Sequence, residues 1–189
     1  MDPSSNLGCP IELFVKEKSV SRTMATLRIF YDTKSSAALP SVKEVLFEVF
    51  KIKTVAELQM DPAEVKGAYN ARRGQYNASK LLNQLIRRAA KAESNEHFLA
   101  LWILGADLYV EGMNFVFGVA HTGKAAVLST HRLESLELVN KEAIHEMGHV
   151  LGLQHCSNEC VMQFSNSLEA AKSKPATLCE HCRSIITFL

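Results

Sequence analysis

The amino-acid sequence predicts a mixed α/β (α+β) domain followed by an irregular C-terminal part rich in metal-binding side chains. Three observations carry this expectation. Over residues 25–151, stretches that read as strands are interspersed with stretches of helical periodicity. Residues 98–104, FLALWIL, form a nearly continuous apolar run, as expected of a central strand covered on both faces. Four of the five cysteines fall after residue 155. A chain of 189 residues fits one domain that buries roughly two-thirds of its unfolded surface.

Taken in order, ATLRIFY (25–31) alternates and is rich in β-formers, so it reads as a strand. SVKEVLFEVFK (41–51) follows Pro40, takes Ser41 as its N-cap and reads as a helix. IKTVA (52–56) is a second short strand, and residues 61–74, punctuated by Pro62, Gly67 and Gly74, read as a loop. From Gln75 to Ala92, Leu81, Leu82, Leu85, Ile86 and Ala89 recur at helical spacing. Lys80, Arg87, Arg88 and Lys91 oppose them, giving an amphipathic helix laid on a sheet. NFVFGVA (114–120) and AAVLSTH (125–131), joined by His-Thr-Gly-Lys, read as a hairpin. A helix follows over 136–151, with Val139, Ala143, Met147 and Val150 facing the sheet. No strong periodicity appears beyond it until SIITFL at the C-terminus.

The formal net charge of +1 gives no reason to expect nucleic acid or an acidic membrane as partner. The pairs Arg72-Arg73 and Arg87-Arg88 read as solvated surface. No stretch approaches the ~18 apolar residues of a membrane span, and the N-terminus lacks a signal-peptide core. Without a secretion signal, the sequon Asn77-Ala78-Ser79 carries little weight. Closely paired cysteines in such a chain point to metal before disulfides and to a reducing, cytoplasmic setting. Residues 1–23 read as an extension with no assigned role, and Met24 as a possible internal start. The expected domain then divides into 24–152 and 153–189.

The chemistry concentrates in HEMGHVLGLQHC, residues 145–156. His145 and His149 are four apart, so on a helix they share one face, one turn apart. Glu146 projects beside them. This is the HExxH arrangement, in which two neutral imidazoles hold Zn²⁺ and a carboxylate serves as general base. From this composition HExxH would arise by chance in roughly 2% of chains; adding Gly152 and His155 lowers that to about 4 in 100,000. Gly152 can adopt the left-handed conformation that ends the helix, letting His155 return as third ligand. Three protein ligands leave a fourth position for water, as in catalytic zinc sites. The bland alternative is two satisfied histidines on a polar helix face. None of the four tyrosines follows the motif, so Glu146 and the metal are expected to carry oxyanion stabilisation, helped by an unidentified loop residue.

Cys156 adjoins His155, and neighbours in an extended segment point opposite ways, so Cys156 should face away from the first metal. With Cys160, Cys179 and Cys182 it supplies four thiolates in two close pairs, which fits a closed tetrahedral zinc site. Two disulfides or an iron centre are compatible with the same spacing. His181, His97, His121 and His131 read as surface or satisfied polar residues. Cys9 lacks the neighbours expected of an inhibitory thiolate.

HEMGHVLGLQHC, then Cys160-Val161-Met162 and Cys179-Glu180-His181-Cys182, resembles the archaemetzincin family of metzincin-type zinc peptidases. Residues 73–78, 105–109 and 114–120 are similar to it too, so the resemblance spans roughly 72–182. It implies a twisted mixed sheet with a backing helix and an active-site helix, then a zinc-pinned C-terminal subdomain. It also implies two Zn²⁺ ions. His145, His149 and His155 would hold the catalytic one, with Glu146 as base; Cys156, Cys160, Cys179 and Cys182 would hold the structural one. Met162 would be the Met-turn residue beneath the catalytic metal; without the family it reads as core filler. The three residues between Cys156 and Cys160, and the sixteen between Met162 and Cys179, are each one fewer than in the family pattern. Metzincins bind an extended peptide along an edge strand. That makes Asn114, Phe115, Val116, Phe117 and Gly118 the substrate-binding candidates and Gln163–Ser167 the wall of the pocket beyond the scissile bond. The expected function is a monomeric peptidase acting on peptide or protein, with endo- and aminopeptidase action both open. The rivals are a non-catalytic peptide-binding scaffold and a nucleic-acid-binding zinc module.

Overall fold

The computed structural model describes residues 25–90 and 98–187. Met24, Cys9, Lys91, Ala92 and His97 lie outside these residues. Strand β1 (Thr26–Tyr31) ends at Asp32, whose carboxylate accepts from the Ser35 amide at 2.9 Å and caps a short 3-10 turn, Thr33–Ala38. Helix α1 (Leu39–Phe50) begins two residues before the expected boundary. Ser41 is not its cap: the cap position is Ala38, which makes no side-chain bond. Pro40, with its preset φ in the first turn, starts the helix without one. The Ser41 hydroxyl instead accepts from Asn140, at 2.8 Å.

Strand β2 (Lys53–Gln59) runs three residues past the expected end. Strands β3 (Tyr69–Asn70) and β4 (Gln75–Asn77) pair within the stretch read as loop and helix start. Helix α2 (Ala78–Ala90) therefore starts later than its periodicity suggested. Strands β5 (Phe98–Leu104), β6 (Leu108–Tyr109), β7 (Gly118–His121) and β8 (Ala125–Ser129) follow. The main sheet has the order β2-β1-β5-β8-β7, parallel except for β7, which is antiparallel at one edge; β3, β4 and β6 form a small second sheet.

The central place of β5 explains its apolar run, because alternate side chains enter two different cores. Leu101 and Ile103 meet α1 and helix α3 (Leu136–Val150) on one face. Ala100, Trp102 and Leu104 meet Leu81 and Leu85 of α2 on the other. All five β5 residues are fully buried.

Two expectations are corrected. The first hairpin arm is shorter than 114–120. The Phe117 carbonyl accepts from Ser129 N–H at 2.7 Å, but Val116 N–H donates to Leu108 of the small sheet. The Asn114 carbonyl is taken by Arg73 and Gln75, at 2.7 and 3.0 Å. Backbone groups satisfied elsewhere leave the main sheet. The C-terminal part also holds two short helices, α4 (Leu168–Ser173) and α5 (Glu180–Thr187). Six and eight residues are too few to show a clear period; α4 is specified by its N-cap, Ser167, whose hydroxyl accepts from the Ala170 amide at 3.2 Å.

Candidate functional site

The Ser135 hydroxyl accepts from the Leu138 amide and starts α3. The helix ends as its glycine predicts: Gly152 has φ +91°, and the Gly152 and Leu153 amides donate to the carbonyls of His149 and Gly148. The reversed chain returns His155 to the two helical histidines, and one ring nitrogen from each lies within 4.8 Å of the others.

The outer ring nitrogens decide what the inner ones offer. His145 Nδ1 lies 2.9 Å from the Val161 carbonyl, and His149 Nδ1 lies 2.8 Å from the Leu153 carbonyl. Carbonyl oxygens only accept, so each Nδ1 donates and each Nε2 is a bare lone pair. These two Nε2 atoms stand 3.1 Å apart. Facing lone pairs repel unless a cation lies between them, and a tetrahedral zinc with Zn–N of about 2.0–2.1 Å spaces its nitrogens by about 3.3 Å. Burial, helped by the Lys174 charge, pushes His145 down to about 3, and burial also lowers His149 and His155. At neutral pH all three are in the uncharged form that ligates metal.

Glu146 sits on the same helix, almost fully buried. Burial pushes its carboxyl up to about 8; the neighbouring Glu142 charge adds to this and Lys174 opposes it. A dication beside it would favour the ionised form. Gly118, the first residue of β7, lies directly against this carboxylate: a Cβ there would stand 2.6 Å from Glu146 Cδ.

A cleft of about 300 Å³ opens over the imidazoles and Glu146. Of the candidate substrate residues, Phe115, Val116, Phe117 and Gly118 line it, whereas Asn114 does not. Phe164, Ser165 and Asn166 line it too, with the Phe164 ring 5.1 Å from that of His155. Val110 and Met113 also contribute, though nothing in their sequence context marked them. Arg73, read as surface, braces this wall: it donates to the Met113 and Asn114 carbonyls. Arg132 makes a two-pronged bond to Asp107 and covers the Phe115 ring at 4.3 Å.

Met162 is fully buried beneath α3. Its sulfur occupies the space a side chain on Gly148 would need, 2.5 Å from the position of such a Cβ. The glycine inside HEMGH thus admits the thioether against the helix backbone.

His155 and Cys156 do point to different clusters. The four sulfurs of Cys156, Cys160, Cys179 and Cys182 lie within 4.8 Å of one another, so the shortened spacings do not prevent closure. All four are free thiols, with Cys156 and Cys179 Sγ 3.8 Å apart. A disulfide needs about 2.05 Å, whereas tetrahedral Zn–S bonds of about 2.3 Å separate sulfurs by about 3.8 Å. The Cys179 thiol is pulled down to about 6, chiefly by the Cys182 backbone N–H, while burial raises Cys182. His181, His121 and His131 are exposed and join neither cluster.

Sequence reasoning missed a buried pair that reaches the cleft, which Glu142 helps to line. Lys174 Nζ stands 2.8 Å from Glu142 Oε1, both side chains almost wholly buried. Lys141 Nζ donates to the Lys172 and Lys174 carbonyls, so α3 grips the end of α4 twice. Charges at consecutive positions of an otherwise buried helix were the available signal. Lys174→Met should destabilise the fold by about 3–5 kcal/mol, because it strands a buried carboxylate. The double variant Glu142→Leu/Lys174→Met should recover most of that loss. Urea unfolding checks both, and equal stabilities for the single and double variants would refute the pairing.

Residues 37–187 match the model of peptidase family M54. The archaemetzincin of Nanoarchaeum equitans is 42% identical over 142 residues, covering 75% of this chain and 78% of that protein. The crystal structure of archaemetzincin from Archaeoglobus fulgidus complexed with malonate superposes with a TM-score of 0.72 at 37% identity, covering 85% of this chain and 99% of that one. That from Methanopyrus kandleri gives 0.74 at 32% identity, covering 89% and 97%. The chain therefore belongs to peptidase family M54, the archaemetzincins, and is a zinc metallopeptidase.

Proposed function

We propose that peptide bonds are hydrolysed in the cleft above His145, His149 and His155, which hold one zinc ion, with Glu146 as general base. The observation that carries this reading is the convergence of bare Nε2 lone pairs beside a buried carboxylate on the floor of an open cleft. When bound, the metal supplies Lewis acidity toward a water molecule and the substrate carbonyl. Glu146 takes the attacking water's proton and returns it to the departing amine. The Val161 and Leu153 carbonyls keep the imidazoles in the ligating tautomer. Phe115, Val116, Phe117 and Gly118 receive an extended substrate along the edge where β7 begins, and Met162 forms the apolar floor.

Cys156, Cys160, Cys179 and Cys182 hold a second zinc, structural because four thiolates leave no position open. A reducing cytoplasm suits four free thiols. No helix among the described residues is long and apolar enough to cross a membrane.

The test is metal counting combined with cleavage of a peptide library. The native protein should carry two zincs per chain. Chelation of the histidine-bound ion should abolish cleavage, and added zinc should restore it. Cleavage that persists in fully metal-free protein would overturn the reading. Peptide binding without any hydrolysis by the two-zinc protein would instead indicate a scaffold.

A further inference from the structure

We infer that the cysteine cluster governs the histidine cluster: metal at Cys156, Cys160, Cys179 and Cys182 sets the affinity with which His145, His149 and His155 hold theirs. The inference rests on the two-site reading above and assigns the thiolates a positioning role in it. Residues 153–162 serve both clusters yet contain no helix or strand. Leu153 supplies the carbonyl that orients His149, and Val161 the one that orients His145. His155 immediately precedes Cys156, and Cys160 immediately precedes Val161.

The backbone ties converge in the same place. The Cys156 amide donates to the Met162 carbonyl at 3.0 Å, closing the loop that carries the first two thiols. The Val161 amide donates to the Thr177 carbonyl at 2.9 Å, two residues before Cys179. The Cys179 amide donates to Cys160 Sγ at 3.3 Å. Gathering the four sulfurs therefore fixes both ends of the segment that supplies one imidazole ligand and the carbonyl orienting another. Loss of one such outer partner typically weakens metal binding about 10–100-fold. Here a ligand and an outer partner are released together, so the expected weakening is at least about tenfold. Linkage makes the coupling factor equal in both directions. Four thiolates bind their own zinc tightly enough that emptying the histidine site leaves theirs filled.

The experiment begins by counting zinc in the native protein. Fewer than two equivalents would refute the two-site reading and this inference with it. The thiols are then titrated with p-hydroxymercuribenzoate while released zinc is followed with a chromophoric chelator. The single tryptophan, Trp102, lies buried on the sheet face opposite α3 and reports on the fold. The expected result is release of both equivalents, the second following the first, with native Trp102 fluorescence throughout. His145→Ala should lose one equivalent and keep the thiolate zinc. A Cys182→Ser chain should bind zinc at the histidines at least about tenfold more weakly than the native protein. Release of one equivalent while the other exchanges at its native rate would overturn the inference and leave the two-site reading standing. So would native histidine-site affinity in Cys182→Ser. Second release that coincides with loss of the native Trp102 signal would overturn it too, since unfolding rather than the shared segment would then join the sites.

Discussion

A Glu146→Gln chain should keep its fold and its native zinc content and cleave peptides about 10²–10⁴-fold more slowly than the native protein. The amide matches the carboxylate in shape but cannot take a proton from water. In the zinc-free protein the substitution should not cost stability. Burial and the Glu142 charge both disfavour an ionised carboxyl at this position, so a neutral side chain removes a penalty. Lost turnover with unchanged or improved thermal stability separates a chemical role from a structural one. The measurements are kcat/KM and zinc content of the loaded protein, and Tm after metal removal. Native turnover by a zinc-loaded variant would refute the assignment of Glu146 as base.

Gly118→Ala should lower kcat/KM about 10²-fold with zinc content unchanged. The added methyl would stand 2.6 Å from Glu146 Cδ and 2.7 Å from its Cγ and Oε1, closer than carbon atoms pack. Either the carboxylate or the first residue of β7 must yield, and a misplacement of about 1 Å can cost about 10² in rate. Gly118 is not among the glycines with positive φ, so its backbone accepts a side chain without strain. The effect therefore isolates the close approach itself. A variant with native kcat/KM would show that strand and carboxylate are not in contact during turnover.

Much of this site was legible before any coordinates. The spacing of His145 and His149, the turn at Gly152, the opposed directions of His155 and Cys156 and the two cysteine pairs all follow from local geometry. Helical repeat, chain reversal and strand alternation operate within a few residues, and sequence spacing records them directly. The same holds for β5, whose uninterrupted apolar run already implied a strand covered on both faces.

Other features depended on partners far away in the chain. Ser41 serves Asn140 rather than its own helix, and Asn114 turns its carbonyl to Arg73 instead of extending β7. Lys174 meets Glu142 across the α3–α4 contact. The carbonyls of Val161 and Leu153 orient two imidazoles, yet every residue has a carbonyl, so no residue identity announces that role. The sequence by itself determined which side chains could bind metal and on which face of their segments they lie. Only the tertiary structure decided what surrounds them, because packing between distant segments fixes burial, tautomer and cleft shape, and no local repeat encodes those contacts.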